Sequence, residues 1–458
     1  MRNKKILLLS LFMIFAMLFA ACSNADEEEP TPEDTASEEA PTEVVEEEEV
    51  VDEPMLTYCE DGALDGETIT YYSQAGLTGA LSTILGTAFV NGLNDSINEI
   101  NAAGGICGAE IVLELTDTQY DPEQEIAVYS VTREADPKPF SISTYGSGAT
   151  VALSPMVNED HVVNFAAGLN AAATYIPTDG WTVLVAPIYS DQFAGFLQFV
   201  SENWADIKPE GAGDDIVVGV VGWEGPFGAG ATTPNALAYA ESLGITVLDL
   251  ETYAVSAEAD LVTPLQTLAL GGANVIYIQS LGFGVAQAVG TLRALEMWDS
   301  VVVGTVNWGI NTDVINVLGE SALAANGMYG VFPYNWWNDT DNAGIQQMAA
   351  AFEAGGYPAS DMAVGYMQSY AGVYGWADIV RHAIDMVGYE NLNGDSFMAA
   401  FIDLGTVDAL GIFTFDVRDG TRAPRSAQIR QAQANAEGGI DFVIIKDFFE
   451  LPDTRPTE

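Results

Sequence analysis

Basic residues are scarce in this sequence. Its 458 residues include 14 lysines and arginines against 66 aspartates and glutamates, which gives a formal net charge of -52 at pH 7. A molecule this acidic repels phosphate backbones and anionic headgroups, so we expect no nucleic-acid partner. The acidity is explained most simply by a solvated surface adapted to salt or low pH. The alternative is a specific cationic partner.

Residues and motifs for catalysis are scarce as well. Of the two histidines, His161 opens an apolar strand and His382 lies within a long helix, and both positions are typical of structural histidines. The sequence has no Gly-x-Ser-x-Gly elbow, no CxxC pair and no HExxH helix, and its acids are too frequent to indicate a catalytic pair. We therefore expect a protein that is not an enzyme and that carries neither a cofactor nor a metal.

One apolar run stands at the N-terminus. Three basic residues precede it at positions 2 to 5, and the run from 6 to 21 is too short to span a membrane comfortably, so residues 1–21 are predicted to be a signal peptide. Residues 19–22, Phe-Ala-Ala-Cys, resemble a bacterial lipobox, in which the signal is removed and the new N-terminal Cys22 carries lipid. Phe19 departs from the usual leucine. The alternative is an ordinary secretory signal with an incidental cysteine.

Large apolar side chains are almost missing from the segment that follows. Residues 22–57 consist mainly of Glu, Asp, Pro, Thr and Ala, a composition that cannot bury a core. We expect a disordered, self-repelling tether between the membrane and the folded part. The alternative is an acidic segment that attracts a basic partner.

Cysteines number three. If Cys22 is acylated, Cys59 and Cys107 remain as a pair in an oxidising compartment. Each lies just before one of two neighbouring predicted strands, at the same edge of a parallel sheet. We predict a disulfide between them, and the alternative is two buried free thiols.

An amphipathic helix followed by a strand organises the folded part. The apolar residues of this helix recur at intervals of four, four, four and three, which places them on one face: Leu85, Phe89, Leu93, Ile97 and Ile100. Gly104 and Gly105 suit the positive φ of a helix end, and residues 111–116 alternate as a strand does. This order is half of a βαβ unit, so the sequence predicts an α/β fold with a parallel sheet. With 48% apolar residues, the chain has enough for two cores.

The same stretch carries a resemblance to a known family. Residues 98–106 read Asn-Glu-Ile-Asn-Ala-Ala-Gly-Gly-Ile, and Asp-Thr-Gln at 117–119 and Asp-Pro at 121–122 follow. This pattern resembles the leucine/isoleucine/valine-binding family of periplasmic solute-binding proteins, which feed ABC importers. Weaker matches extend the resemblance over nearly everything after the acidic segment.

The resemblance implies two Rossmann-like α/β lobes with parallel sheets, joined by three hinge crossovers. The expected segments are 58–186 and 332–412 for lobe 1, 187–331 and 413–450 for lobe 2, and 451–458 as a tail. Strands are predicted at 68–73, 111–116, 140–144, 162–165 and 181–186 in lobe 1 and at 216–221, 275–279, 301–304 and 442–446 in lobe 2. Ligands of such folds collect at the carboxyl ends of the strands.

A glycine-rich turn at 145–150 is the first candidate for ligand binding. It directly precedes an apolar helix, so unpaired backbone N–H groups and the positive end of the helix dipole suit a carboxylate. The resemblance implies that Ser147, Ala149 and Thr150 hold the ligand's α-carboxylate. Alone, such a turn is more typical of a helix N-cap.

Five further strand exits complete the candidate site. Ala166, Ala167 and Gly168 offer backbone groups where the family often presents a hydroxyl. Tyr189 lies in the crossover that enters lobe 2, and Phe227 stands where the family has an aromatic wall. The remaining candidates are Leu281, Asn307 and Trp308. Asp191, near Tyr189, either faces the cleft or caps a helix, and the aromatic residues at 327–337 either line the cleft or pack the hinge.

Asn307 departs from the family in a way that concerns charge. Family members that bind amino acids place a glutamate near this position, where it pairs with the ligand's ammonium group. Here the residue is a neutral amide, and a buried ammonium without a counter-charge is costly. We therefore expect a ligand that lacks a free amine.

Together these features predict an extracytoplasmic solute-binding lipoprotein. It would be monomeric, anchored to the membrane through lipid on Cys22, and would pass a small amino-acid-like, amide or carboxylate ligand to an ABC permease. Ligand contacts with both lobes would stabilise the closed form, which is a population shift rather than chemistry. The alternative is a sensing protein whose closed state is read by a membrane chemoreceptor or kinase.

Overall fold

The computed structural model describes residues 56–78, 86–177 and 180–456. The first sheet consists of five parallel strands. The strand order is β2-β1-β3-β4-β5, and the strands are β1 (Thr68–Ala75), β2 (Glu110–Asp117), β3 (Ser141–Thr144), β4 (Val163–Ala166) and β5 (Thr182–Leu184). The strand order reverses at β1, so a crevice forms beyond the carboxyl ends of β1 and β3.

The helix α1 (Thr87–Ala102) buries the face predicted from its apolar spacing. Phe89, Leu93, Ile97 and Ile100 are each at most 6% exposed, and Leu85 lies outside the described residues. The sequence predicted that this face would cover a sheet, but α1 also packs closely on a long helix from much later in the chain. A Cβ on Gly92 would lie 2.2 Å from Ser369 Oγ, so only glycine allows this approach.

Three further helices belong to the first sheet. They are α2 (Pro122–Thr132), α3 (Ser147–Asp160) and the short α4 (Ala171–Thr174). Asp121 caps α2 by accepting a hydrogen bond from the Glu123 backbone N–H at 2.8 Å. Gly104 and Gly105 both adopt the positive φ predicted for the turn after α1.

The second sheet has eight strands and is mixed. Its order is β15-β14-β11-β10-β9-β6-β7, with β8 also paired to β6. The parallel strands are β6 (Val217–Trp223), β7 (Thr246–Val247), β8 (Glu251–Tyr253), β9 (Val275–Gln279), β10 (Val302–Thr305) and β11 (Tyr329–Phe332). The antiparallel strands are β14 (Ser426–Ala434) and β15 (Ile440–Glu450). The sequence predicted parallel sheets, so this antiparallel edge is an addition.

Six helices accompany the second sheet. They are α5 (Tyr189–Ile207), α6 (Pro226–Ala229), α7 (Pro234–Ser242), α8 (Val262–Leu270), α9 (Gly282–Ala294) and α10 (Thr312–Leu318). A single turn of 3-10 helix, Asn307–Gly309, follows β10. Sheet and helices together form the second lobe.

The chain returns to the first sheet after β11. Helices α11 (Ala343–Gly355), α12 (Val364–Val387) and α13 (Gly394–Leu404) follow, then the antiparallel pair β12 (Thr406–Ala409) and β13 (Phe413–Asp416). Helix α12 packs on α1, and α13 packs on α12 and β4, so these elements complete the first lobe. The chain therefore crosses between the lobes three times, after β5, β11 and β13.

A disulfide joins Cys59 to Cys107, one of the two alternatives considered above. Their Cα atoms lie 5.1 Å apart, and the Leu64 N–H donates to the Cys107 carbonyl at 2.9 Å. The bond ties the segment before β1 to the turn before β2, at the edge of the first sheet opposite to the carboxyl ends of its strands.

Thr57, the last residue of the predicted tether, is bonded to the first lobe. Thr57 donates through its backbone N–H at 3.0 Å and through its hydroxyl at 2.7 Å to the carboxylate of Glu390. Across residues 56–78, 86–177 and 180–456, no helix has the length and apolarity needed to cross a membrane. The predicted signal peptide, Cys22 and nearly all of the predicted tether lie outside the described residues.

Candidate ligand-binding site

Side chains from both lobes meet where the strands of the two sheets end. Tyr145, just after β3, lies with its ring 5.6 Å from that of Trp308, which follows β10. Ser147 Oγ lies 3.0 Å from the hydroxyl of Tyr189 at the start of α5. All four residues are buried. We call this group, together with Asn307, the inter-lobe site.

The turn before α3 is organised by its own backbone and by Thr150. Gly146 has φ of 123°, and its carbonyl accepts hydrogen bonds from the Thr150 N–H at 2.9 Å and the Thr150 hydroxyl at 2.8 Å. Ser147 bonds to Tyr189 and does not cap the helix, and no side chain in the described part caps α3. Ala149 is buried beside this turn. The first N–H groups of α3 therefore remain suited to an anionic group of a ligand.

The exit of β4 serves the first lobe itself. The Ala167 N–H donates to the Thr144 carbonyl at 3.0 Å, and the Ala166 carbonyl accepts from Val185 at 3.3 Å. A Cβ on Gly168 would lie 2.4 Å from Thr150 Oγ1, so glycine here allows the exit to pack under the α3 turn. These residues form a wall behind the turn, with the Ala167 N–H already engaged.

Tyr189 connects the two lobes through its ring and its hydroxyl. Its ring lies 5.0 Å from the ring of Phe227, and its hydroxyl lies 3.0 Å from Ser147 Oγ. Burial raises the pKa of Tyr189 to about 12, so its hydroxyl remains a hydrogen-bond donor at neutral pH. Nearby, Asn170 Nδ2 donates to the Pro226 carbonyl at 2.9 Å, which adds a contact between the lobes.

Asp191 neither faces the cleft nor caps α5, the two roles considered from the sequence. Its Oδ1 accepts hydrogen bonds from the Thr454 N–H at 2.8 Å and the Thr454 hydroxyl at 2.7 Å. Arg425 Nε lies 3.8 Å from its other oxygen. Burial raises the pKa of Asp191 to about 6. This carboxylate anchors the C-terminal segment to the first turn of α5.

Asn307 presents a buried amide with no protein partner among the described residues. Its backbone is held on both sides, because its N–H donates to Gln192 Oε1 at 3.0 Å and its carbonyl accepts from the Tyr334 hydroxyl at 2.8 Å. The side-chain oxygen and nitrogen are fully buried and unpaired. An unmet buried polar group costs roughly 1 to 3 kcal/mol, so this amide fits a ligand that both donates and accepts hydrogen bonds.

The aromatic residues of the return crossover mainly pack the hinge. Phe332, Tyr334 and Trp336 contact one another with ring centroids 5.4 to 6.1 Å apart, and Phe442 of β15 joins them. Tyr334 is the member that reaches the inter-lobe site, through its bond to Asn307. Leu281, at the N-cap of α9, is 3% exposed and adds an apolar wall.

Asp313 is a residue that the sequence interpretation missed. It lies in the first turn of α10 and is 4% exposed, and its N–H donates to Asn311 Oδ1 at 2.7 Å. Asn311 in turn donates through Nδ2 to the Trp308 carbonyl at 2.9 Å, so this hydrogen-bonded chain places Asp313 beside the inter-lobe site. Burial raises its pKa to about 7. The prediction from the sequence concerned only the loop at Asn307, and this acid lies six residues later, inside α10.

Positive side chains do not contribute to the inter-lobe site as described. None of its residues is a lysine or arginine, and buried arginines are engaged elsewhere, as Arg430 is with Asp339. A carboxylate here would depend on hydroxyls and on N–H groups of α3. Within the described ranges, no group of His, Cys, Asp and Glu side chains could hold a metal ion.

A family model for periplasmic binding proteins matches residues 75–439. The chain belongs to the periplasmic binding protein family. Members of this family are extracytoplasmic solute-binding proteins and not enzymes. The family recognised from residues 98–122 and the two-lobe α/β fold predicted with it are both confirmed.

Curated relatives are similar over part of their length. The Leu/Ile/Val-binding protein homolog 1 of Brucella melitensis is 26% identical over 206 residues, which are 43% of this chain and 50% of the relative. The homolog 1 of Brucella abortus gives the same values. The aligned stretch thus spans about half the length of these relatives.

Solved structures resemble nearly the whole described chain. A branched-chain amino acid ABC transporter protein from Thermus thermophilus with bound valine is 18% identical, with a TM-score of 0.69 over 84% of this chain and 97% of that protein. A fatty acid ABC transporter substrate-binding protein from Thermomonospora curvata is 19% identical, with a TM-score of 0.68 over 86% of this chain and 95% of that protein. A Rhodopseudomonas palustris solute-binding protein in complex with 3,4-dihydroxybenzoic acid is 16% identical, with a TM-score of 0.65 over 84% of this chain and 98% of that protein. At such identities the likeness concerns the fold alone.

Proposed function

We propose that this protein is the substrate-binding component of an ABC importer, and that it captures a small amino-acid-like, amide or carboxylate ligand between its lobes. The observation that carries the proposal is the Asn307 amide. It is fully buried between the lobes, its backbone is fixed by Gln192 and Tyr334, and its two polar atoms lack protein partners in the described chain.

Closure would follow from the contacts that cross the inter-lobe site. The Ser147–Tyr189 and Asn170–Pro226 hydrogen bonds and the Tyr145–Trp308 ring contact each join the two lobes. Opening breaks these contacts and exposes the amide to water. A ligand that bonds to Asn307 and to the α3 turn at once stabilises the closed form, because it gains both sets of contacts only there.

The ligands named for the structural relatives support a small solute as the ligand of this protein but do not identify it. Valine, fatty acids and 3,4-dihydroxybenzoic acid all carry a carboxylate, and the uncapped N-terminus of α3 suits such a group. The apolar part of the ligand would lie against Phe227 and Leu281, both of which are buried.

Membrane attachment is proposed from the N-terminal sequence. The apolar run at 6–21 and the lipobox-like Phe-Ala-Ala-Cys at 19–22 support removal of the signal and lipid attachment to Cys22. The acidic segment 22–57 would act as the tether, and the protein would meet its permease as a monomer.

A thermal-shift screen tests the proposed function. Purified protein is melted with amino acids, amides, short-chain acids and aromatic acids in turn, because a ligand at 100 times its Kd stabilises the folded form by about 2.7 kcal/mol. We expect one chemical class to raise the melting temperature of the wild type. In Asn307→Ala the same compounds should raise it far less, whereas Asn335→Ala, which changes an amide bonded to the Gly411 carbonyl, should keep the response. If no compound of any class raises the melting temperature, the proposed function is wrong.

A further inference from the structure

The carboxylate of Asp313 lacks the partners that the other buried acids have. Among the described residues, the acids in the buried set are Glu125, Asp191 and Asp313. Thr118 Oγ1 donates to Glu125 at 2.8 Å, Gln74 also donates to it, and Asp191 is held by Thr454. Asp313 Oδ2 has no hydrogen-bond partner in the described chain.

Capping of α10 does not explain this acid. Asn311 already caps the helix, because its Oδ1 accepts from the Asp313 N–H at 2.7 Å. A Cβ on Gly282 would lie 2.9 Å from Asp313 Cβ, so the acid is packed against the start of α9, next to Leu281. The Asp313 side chain is thus packed against α9 and is not the cap of its own helix.

Among the described residues, no lysine, arginine or histidine forms an ion pair with Asp313. A second acid, Asp361, acts on it electrostatically and makes the local potential more negative. The Tyr334 hydroxyl is already donated to the Asn307 carbonyl. A buried carboxylate in this setting is costly unless a cation or a proton joins it.

We propose that Asp313 is the counter-charge for a protonated nitrogen of the ligand and that it, rather than Asn307, sets the charge preference of the inter-lobe site. This inference rests on the proposed function and deepens it. It also replaces the expectation that the ligand lacks a free amine, because the charge that Asn307 cannot supply is available six residues later. The ligand class is then a small solute with an ammonium group beside a group that bonds to the Asn307 amide.

Protonation follows from the same geometry. Because burial raises the pKa of Asp313 to about 7, the empty site holds a proton on this carboxyl for part of the molecules at neutral pH. An ammonium ion that binds there favours the ionised form and displaces the proton. Binding of an amine should therefore release up to one proton, and affinity should rise between pH 6 and pH 8.

The test compares ligands that differ only in this nitrogen. The proteinogenic amino acids and the α-hydroxy acids with the same side chains are titrated at pH 8 by thermal shift and calorimetry into wild type, Asp313→Asn and Asp361→Asn. We expect some amino acids to bind the wild type at least ~10-fold more tightly than their hydroxy acids, and Asp313→Asn to remove that preference. Asp361→Asn, which changes a nearby acid that is not fully buried, should keep it.

A second measurement does not depend on the variant binding anything. Without ligand, the raised pKa means that the folded wild type takes up a proton that the unfolded chain does not, so its stability falls as pH rises from about 4 to about 7. In Asp313→Asn, this decrease in stability between about pH 4 and about pH 7 should be absent. The variant should be at least as stable as the wild type at pH 8. If Asp313→Asn does not fold, proton release by the wild type, measured in two buffers of different ionisation enthalpy, decides the question.

The outcomes separate the two proposals. If hydroxy acids or neutral amides bind as tightly as the matching amines, or if Asp313→Asn keeps the preference, the Asp313 inference is wrong while the binding function stands. If no compound of any charge binds, the proposed function itself fails.

Discussion

The two sides of the inter-lobe site differ in how their polar groups are satisfied. On the side of the first lobe, Ser147, Thr150 and Ala167 all have protein partners, at 3.0, 2.8 and 3.0 Å respectively. On the side of the second lobe, the Asn307 amide and one oxygen of Asp313 have none among the described residues. The first lobe therefore provides a prebuilt surface of satisfied side chains around the open N–H groups of α3, and the second lobe provides side chains that only a ligand satisfies.

The largest expected effect tests whether the first lobe is only a support. The Cys59–Cys107 bond closes a loop with a sequence separation of 48, so replacing both by alanine should lower the free energy of unfolding by about 4 kcal/mol in the chain-entropy description. Urea denaturation measures this loss. Because the bond lies at the edge opposite to the inter-lobe site, ligand affinity below the transition should change little. A parallel loss of affinity would show that the first lobe is not prebuilt.

A middle-sized effect concerns the anchoring of the C-terminal segment on α5. Asp191→Ala leaves the N–H and hydroxyl of Thr454 buried without their acceptor, so we expect a loss of about 2 kcal/mol in stability. Thermal unfolding of the variant checks it, with Asp453→Ala, which removes a more exposed acid from the same segment, as control. Equal stability of Asp191→Ala and the wild type would contradict this role.

The smallest expected effect is that of Ser147→Ala, and comparing it with Asn307→Ala contrasts the two sides directly. Ser147→Ala removes one hydrogen bond to Tyr189 and should weaken ligand binding by about 1 kcal/mol, or roughly fivefold. Asn307→Ala should weaken binding by about 2 to 3 kcal/mol, because it removes groups whose partner is the ligand. Calorimetry with one ligand from the screen gives both values. A larger loss in Ser147→Ala than in Asn307→Ala would reverse the comparison.

Buried elements with a clean pattern were predictable from the sequence. Strand β9 was predicted residue for residue as 275–279, because four consecutive apolar or aromatic residues, 275–278, lead into a glycine-containing turn. The helix α1 was likewise defined by its spacing. Strand β14 was not predicted, because Gln428 and Arg430 lie buried in it and mask the apolar alternation.

The candidate site was predictable where a turn or a family motif carried it. Ser147, Tyr189, Asn307 and Trp308 were named from their positions at strand exits, and contacts or sequence adjacency bring them together in the structure. Asp313 was not predicted as a site residue, because its proposed role depends on a carboxylate oxygen without a partner among the described residues. A sequence does not show such an absence. Asp191 was misjudged for a related reason, since its partner Thr454 is 263 positions away.

The most direct test of ligand capture between the lobes is a distance between them. Spin labels at Val131 and Leu270, which are 76% and 91% exposed and lie in the first and second lobes, report this distance by electron–electron double resonance. A compound that raises the melting temperature should narrow the distribution and shift it to the shorter separation of the closed form. An unchanged distribution at saturating concentration of such a compound would contradict capture by closure.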